Sequence, residues 1–403
     1  MKLKTILMAG AMAIAASGAS AACSYENEVP LKSLSAGFEA WKAVTDAMAE
    51  CGNFSASLDQ EFREKQPEAF AADPSLYQIG GVSNATLVPL LNAGTIRPLD
   101  DLVAKYGQNL LPNQLIKVDG ETVAIAFMVN AQHLMYRNDV LADLGIEEPK
   151  TYGDVIDAAA KIKEAGVMDY PIGGTFKTGW NLGQEFVNMY LGEGGTFFGE
   201  GNMPAINNAQ GVAALETLKA MTDYMDPEYL VSDSTYVQQQ FQQGKIAMAN
   251  LWASRAAAMN DEAESQVVGK VTMASAPMGS SVPATTIWWD GFVLASNISD
   301  EEADAAFRLL MEGIDAEMVG ANNDTAVWLS TAYTPGELAA GAAASAEGGA
   351  KPYPASGPMG IMHTSLGNGL ADYLTGAKDA QTTLADIEAD YITAAKEAGL
   401  ISN

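Results

Sequence analysis

Residues Gly120–Tyr152 read GETVAIAFMVNAQHLMYRNDVLADLGIEEPKTY, and the order of patterns inside this stretch decides the fold. Glu121 to Phe127 and Ala131 to Tyr136 are strand-like runs with Asn130 between them. Thr151 and Asp154 then stand at capping-box spacing. Behind them Val155, Ala158, Ala159 and Ile162 recur at i, i+3, i+4 and i+7, which predicts an amphipathic helix.

The same alternation extends outward in both directions. Upstream, Val29–Leu34 reads as a strand, Ser35–Gly37 as a short loop, and Phe38–Glu50 as a helix with Phe38, Trp41 and Met48 on one face. Leu76–Ile79 reads as a second strand that opens into Gly80–Asn84, followed by a helix through Leu91 that stops at Gly94. Downstream, Val212, Leu215, Leu218 and Met225 mark a helix, and Ile246–Asn250 a strand. Phe292–Ala295 reads as another strand, after which Ser299 and Glu302 cap a helix containing Phe307 and Leu310. A final helix aligns Leu384, Ile387, Tyr391 and Ala395. Strands alternating with helices over such a length predict an α/β architecture with mainly parallel sheets. Loops at strand C-termini are where open α/β sheets bind ligands, because helix N-termini and free amides gather there. Two segments interrupt the pattern. Thr175–Pro204, rich in glycine and aromatics, reads as a helical insertion with loops, and Ala339–Ala350, almost all Ala, Gly, Ser and Glu, as a flexible surface connection.

The first 21 residues have the form of a secretory signal peptide: Lys2 and Lys4, an apolar run from Ile6 to Ala16, and small residues ending Ala19-Ser20-Ala21. A lipoprotein reading competes because Cys23 follows directly, although Ser20 stands where a lipid-attachment motif wants Leu. Cys23 and Cys51 are the only cysteines, and in an oxidising compartment one disulfide between them is the simplest assignment, two free thiols being the alternative. Neither the cysteines nor the widely separated His133 and His363 form a zinc motif, so no metal and no cofactor is expected. His133, flanked by apolar residues on a strand, reads as a packed histidine, not a catalytic one. No GxxxxGK[ST] phosphate loop occurs.

Cleavage leaves about 380 residues, enough for two domains. Loss of Lys2 and Lys4 takes the formal charge from -28 to -30. So negative a surface repels phosphate backbones and anionic lipids, which argues against nucleic acid and membrane surfaces as partners.

Four segments, in order, resemble the bacterial family 1 extracellular solute-binding proteins. LLNAGTIRPLDDL within Leu87–Leu102 is similar to that family's helix, Gly-turn and Pro-Leu-Asp segment. In Gly120–Tyr152, Asn138-Asp139, Gly145-Ile146 and Pro149-Lys150-Thr151 occupy its turn, Gly-hydrophobic step and helix cap. Phe241–Met248 resembles its Phe-x-x-Gly-Lys-x-Ala-Met signature, and Asp290–Leu310 its strand and helix. Val29-Pro30-Leu31-Lys32 departs from the family's usual first strand, which weakens carry-over to the first loop.

The resemblance implies two α/β lobes joined by crossovers near Val129-Asn130, Trp288-Trp289 and Ser330. Residues 22–129 plus 289–329 would form one lobe, and 130–288 plus 330–403 the other. It also implies a monomeric periplasmic receptor that closes on a small solute and delivers it to the permease subunits of an ABC importer, without covalent chemistry. A sugar needs flat aromatics for its C–H faces and a polar rim for its hydroxyls. The candidates are Trp180, Trp252, Trp288, Trp289 and Trp328, with Asn84, Asn130, Arg255 and Asp290. Trp288 and Trp289, adjacent on a strand, point to opposite faces, so at most one stacks on ligand. Each candidate also has a plainer role open to it: core packing for the tryptophans, a turn before Gly291 for Asp290, a solvated face for Arg255. Two other functions compete. The tryptophans and Asp290 would also suit a quaternary ammonium compound or another small osmolyte. A secreted carbohydrate-active enzyme would instead need two carboxylates about 5 to 10 Å apart across the cleft.

Overall fold

The structure is a computed structural model that describes residues 23–118 and 120–401. The expected signal peptide, residues 1–21, lies outside them. Twelve strands form two sheets. The larger holds β1 (Leu31–Ser35), β2 (Phe54–Leu58), β3 (Ile79–Ser83), β4 (Leu115–Val118), β5 (Glu121–Asn130), β10 (Thr286–Leu294), β11 (Val327–Trp328) and β12 (Lys351–Pro352). The smaller holds β6 (Gln132–Arg137), β7 (Ile172–Gly173), β8 (Met248–Trp252) and β9 (Val271–Ala274).

The α/β reading is correct, but the expectation of mainly parallel pairing is not. Parallel pairs are β1–β2, β1–β3, β10–β12 and β7–β8, whereas β10 runs antiparallel to both β3 and β5, and β6 antiparallel to both β8 and β9. The chain returns from the second lobe through β10, so that strand enters the first sheet from the opposite end. Only one residue, Ala131, separates β5 from β6, which lets the chain leave one sheet and enter the other directly.

Each lobe encloses its own core. In the first, helix α1 (Glu39–Ala49) buries Trp41, Val44 and Met48 against Phe127, Phe292, Phe307 and Leu310. The amphipathic pattern of its sequence is the cause. Gly80 and Gly81 belong to β3, not to a loop after it, because both faces of the sheet here lie against large rings. A Cβ on Gly81 would sit 2.7 Å from the Trp41 ring, and one on Gly80 2.6 Å from Phe70. Cys23 and Cys51 form a disulfide that fastens the described N-terminus to the end of α1. Helices α2 (Phe62–Ala71) and α3 (Asn84–Asn92) complete the rim of this lobe that faces the other.

The second lobe gathers the helices Tyr152–Glu164, Trp180–Gly192, Ala209–Thr222, Gly357–Leu374 and Ala380–Glu397 around a core of Phe176, Phe186, Tyr190, Leu215, Leu366 and Tyr391. Thr151 caps the first of these through the Asp154 amide, at 3.1 Å. The segment read as a flexible connection is corrected: Ala340–Glu347 is a helix with Gly341, Ala342 and Ser345 buried. Ser345 Oγ donates to the Gly341 carbonyl at 2.7 Å and accepts from the Ala276 amide at 2.9 Å. Small residues are needed because the helix lies directly on β6 and β9; a Cβ on Gly341 would collide with the His133 ring.

Candidate functional site

Three segments of the second lobe bring tryptophans together beside the crossovers. Trp180 opens the helix Trp180–Gly192, following Gly179 at φ +91°, a left-handed conformation that suits glycine. Trp252 ends β8, where Gln132 is its partner across the ladder, and Trp288 lies in β10 opposite Asn130. Trp180 and Trp252 are near-parallel, with centroids 6.4 Å apart and planes at 27°. Trp288 meets Trp180 edge-on at 5.6 Å and Trp252 at 6.0 Å. Trp288 is buried and packs on Tyr353 at 4.2 Å, while Trp180 and Trp252 are only half-buried.

His363 fixes this wall from behind. Its ring stacks on Trp180 at 5.1 Å and 18°, and its Nε2 lies 2.8 Å from the Trp180 carbonyl. A carbonyl only accepts, so Nε2 carries the proton and Nδ1 accepts from the Tyr353 hydroxyl at 2.9 Å. Burial, seconded by the nearby Arg63 charge, pushes the imidazole down to about 4 and keeps it neutral. A polar network lies beneath. The Trp288 indole donates to Thr286 Oγ1 at 2.8 Å, and Gln184 Nε2 donates to Thr286 Oγ1 and to Asn188 Oδ1, each at 2.8 Å. Asn188 donates in turn to Gln132, whose amide reaches Glu185 at 2.9 Å. Burial raises the Glu185 carboxyl to about 7 against the pull of Thr175 and Gln132.

The first lobe presents charge to this wall. Arg63 of α2 holds its guanidinium 4.6 Å from the Trp180 ring centroid and 5.0 Å from that of Phe62. Asp290 of β10 pairs with Ser83 of β3 and is buried. Burial raises its carboxyl to about 7, with the Arg63 charge and the Trp41 indole pulling the other way.

The structure therefore brings Trp180, Trp252 and Trp288 to one place, sets Asp290 behind Arg63 in the first lobe, and disperses the other candidates. Asn84 braces the returning strand: its Nδ2 donates to the Ile287 carbonyl and its Oδ1 accepts from the Trp289 amide, both at 3.3 Å. Asn130 ties the first crossover to Ser254 through the Ser254 hydroxyl at 3.2 Å and amide at 3.3 Å. Trp289 turns to the opposite side of β10 and packs on the first-lobe cluster of Phe70, Leu87 and Val293. Trp328 packs with the first-lobe core: it is 3% exposed, tilted against Phe127 at 6.0 Å, and its indole N–H is engaged by the Asn322 carbonyl at 2.8 Å. Arg255 bonds Gln238 at 2.9 Å and feels Glu39 of the first lobe, which places it on the rim between the lobes.

Arg63 and His363 were missed as site residues. Arg63 stands in a helix of mixed charge, FREKQPEAFA, with no sequence signal of its own. His363 offered one: a histidine next to buried Met362 and three residues before buried Leu366 on a helix is a polar group needing partners. Among the described residues, the grouping whose metal-ligand atoms come within 4.8 Å is Cys23, Cys51 and Glu312, and the sulfurs are bonded to each other.

The fold has close counterparts. A solute-binding protein of an ABC transporter from Agrobacterium radiobacter K84, in complex with ribitol, superposes with a TM-score of 0.81 at 20% identity, over 92% of this chain and 100% of that one. One from Agrobacterium vitis S4 with bound D-mannitol gives 0.78 at 20% identity, over 92% and 99%. The maltose-bound MalE3 of T. maritima gives 0.77 at 19% identity, over 90% and 99%. All are two-lobed, as this chain is. Residues 70–365 match the family described as bacterial extracellular solute-binding protein. With most of its length covered by that match, the chain belongs to this family of solute receptors.

Proposed function

We propose that this chain is a periplasmic receptor that captures a small carbohydrate between its lobes and delivers it to the permease of an ABC importer. One observation carries the reading: a tryptophan wall from three segments of one lobe faces a guanidinium from the other, with a buried carboxyl behind that guanidinium. Such a pair of surfaces matches a molecule with apolar faces and a hydroxyl rim. That counterparts of the same fold hold ribitol, mannitol and maltose supports it. The moving units would be residues 22–129 plus 289–329 and residues 130–288 plus 330–403, hinged at Ala131, at Trp288 and beyond Trp328. Ligand touching both walls stabilises the closed form, which the permease selects. The route to the periplasm would be the N-terminal signal segment, with Cys23 in its disulfide and not acylated.

Binding without chemistry is the economical reading, because the family that the chain matches is one of solute-binding proteins. A quaternary ammonium cargo is disfavoured: Arg63 already holds a positive charge against the open side of Trp180. The test is tryptophan fluorescence and X-ray scattering of the mature chain, titrated with sugars, polyols and betaine. Saturable spectral change with compaction on a sugar or polyol is expected. A response to betaine alone, or a chemically altered product, overturns the reading.

A further inference from the structure

The chain carries 50 acidic and 22 basic side chains, so an arginine here does not lack potential partners. Of its five arginines, Arg97 is paired with Asp300 and Arg137 with Asp139. Arg308 lies against the Tyr25 ring, far from the cleft in the first lobe. The remaining two, Arg63 and Arg255, face each other's lobes, and neither forms an ion pair within 4.0 Å with any described residue. Arg63 is held by ring faces, Arg255 by the neutral Gln238 and Thr235 side chains. Carboxylates act on them from further away: Asp290 and Glu64 on Arg63, Asp233 and Glu39 on Arg255.

Surroundings of both are unusual for a cation. Arg63 is exposed and Arg255 half-buried, and the protein around each guanidinium pulls its pKa down by desolvation. A guanidinium held on ring faces at a cleft wall, without a bidentate carboxylate, is short of its strongest partner. Neutral hydroxyls satisfy such a group weakly; a carboxylate satisfies it through two parallel N–H···O bonds.

Resting on the carbohydrate reading above, we propose that the cargo is an acidic sugar, a uronate, whose ring lies on Trp252 and whose carboxylate is taken by Arg63 where it caps Trp180, with Arg255 the second cation of the cleft. The strongly negative exterior makes this a selective filter and not a general anion trap. Small anions without a sugar face lose the aromatic contact.

The experiment compares matched pairs by calorimetry and tryptophan fluorescence: galactose with galacturonate, glucose with glucuronate, mannose with mannuronate, as monomers and as short 1,4-linked oligomers, plus citrate and acetate as acids that are not sugars. At least one uronate is expected to bind more tightly than its neutral partner by about tenfold or more. Arg63→Gln should remove that advantage and Arg63→Lys keep part of it, with the melting temperature of the unliganded protein unchanged. Neutral partners that bind as well as the uronates overturn the inference and leave the sugar reading standing, as does an acid preference that survives both Arg63→Gln and Arg255→Gln. Binding of citrate or acetate with no sugar bound overturns both; a panel in which no uronate binds overturns the inference alone.

Discussion

Two aromatic clusters, one in each lobe, are built from the same residue types and do opposite work. In the first lobe Trp41 meets Phe127 and Phe292 edge-on at 4.8 and 5.2 Å, and Trp328 closes the group. In the second, Trp180, Trp252 and Trp288 meet at 5.6 to 6.4 Å. Ring spacing alone hardly separates them. What separates them is who covers the outer faces. Trp41 is 1% exposed and sealed by its own lobe, whereas Trp180 and Trp252 are half-buried and Trp180 is capped by an arginine from across the cleft. A cluster completed within one lobe holds that lobe together; a cluster that one lobe leaves unfinished is a surface for something that arrives with closure.

The largest effect should follow from breaking the sealed cluster. Trp41→Ala is expected to cost about 3 to 5 kcal/mol of stability, the usual range for an aromatic deleted from a packed core. Urea unfolding of the unliganded protein measures it. If the midpoint hardly moves, the distinction between the clusters is wrong.

Asp290 joins the two clusters, since its carboxyl lies near both the Trp41 indole and Arg63, and it gives the next effect through pH. His133 and His363 are held down to about 4, mainly by burial. The unfolded chain takes up these protons near 6.5 and the folded one refuses them, so each histidine costs stability as pH falls from about 6.5 to about 4. Asp290 and Glu185 act in the reverse sense. Their folded carboxyls keep a proton up to about 7, against ordinary values of 3.8 and 4.5, so their contribution is full at low pH and is lost as pH rises through that interval. Between about pH 4.5 and 6.5 the two pairs cancel. Asp290→Asn removes one compensating group, and stability of the variant should then fall by about 1.4 kcal/mol for each pH unit of acidification in that window, relative to wild type. Denaturation at a series of pH values reads the slope; equal slopes in both proteins would mean that Asp290 is ionised and solvated.

Less of the site than of the fold was legible in the sequence, for a physical reason. Periodicity reports one side of an element being apolar, so the helices at Tyr152–Glu164 and Ala380–Glu397 could be read from spacing alone. Spacing says nothing about what lies opposite. Trp328 and Trp252 both stand at strand ends near crossovers, and only the third dimension shows that Asn322 takes the indole of one. Arg63 gains its meaning from Trp180, 117 positions later and in the other lobe. Composition misled at Ala340–Glu347, where small residues that suggested flexibility are there so that a helix can lie directly against β6. Parallel pairing was over-expected because alternation of strands and helices carries no information about a strand that returns from another lobe.

Within the unfinished cluster, Trp252→Ala should weaken ligand binding by about 1 to 3 kcal/mol if the ring stacks on the cargo, with little change in the melting temperature of the unliganded protein. Calorimetric titration and a thermal melt on the same sample separate the two. Unchanged affinity with a large loss of melting temperature would move Trp252 into the same class as Trp41.

Trp328→Phe gives the smallest and most discriminating change. A phenylalanine at this position keeps a ring against Phe127 but removes the indole N–H, leaving the Asn322 carbonyl without that donor. One lost hydrogen bond in a partly buried setting is worth about 1 kcal/mol, and the smaller ring adds a packing loss of similar size at most. Stability should therefore drop slightly while affinity for the cargo stays as in wild type. Had Trp328 faced the cleft, the balance would be reversed: an exposed stacking ring exchanged for a smaller one would change affinity and spare stability. The ratio of the two effects, not the size of either, assigns the residue to its cluster.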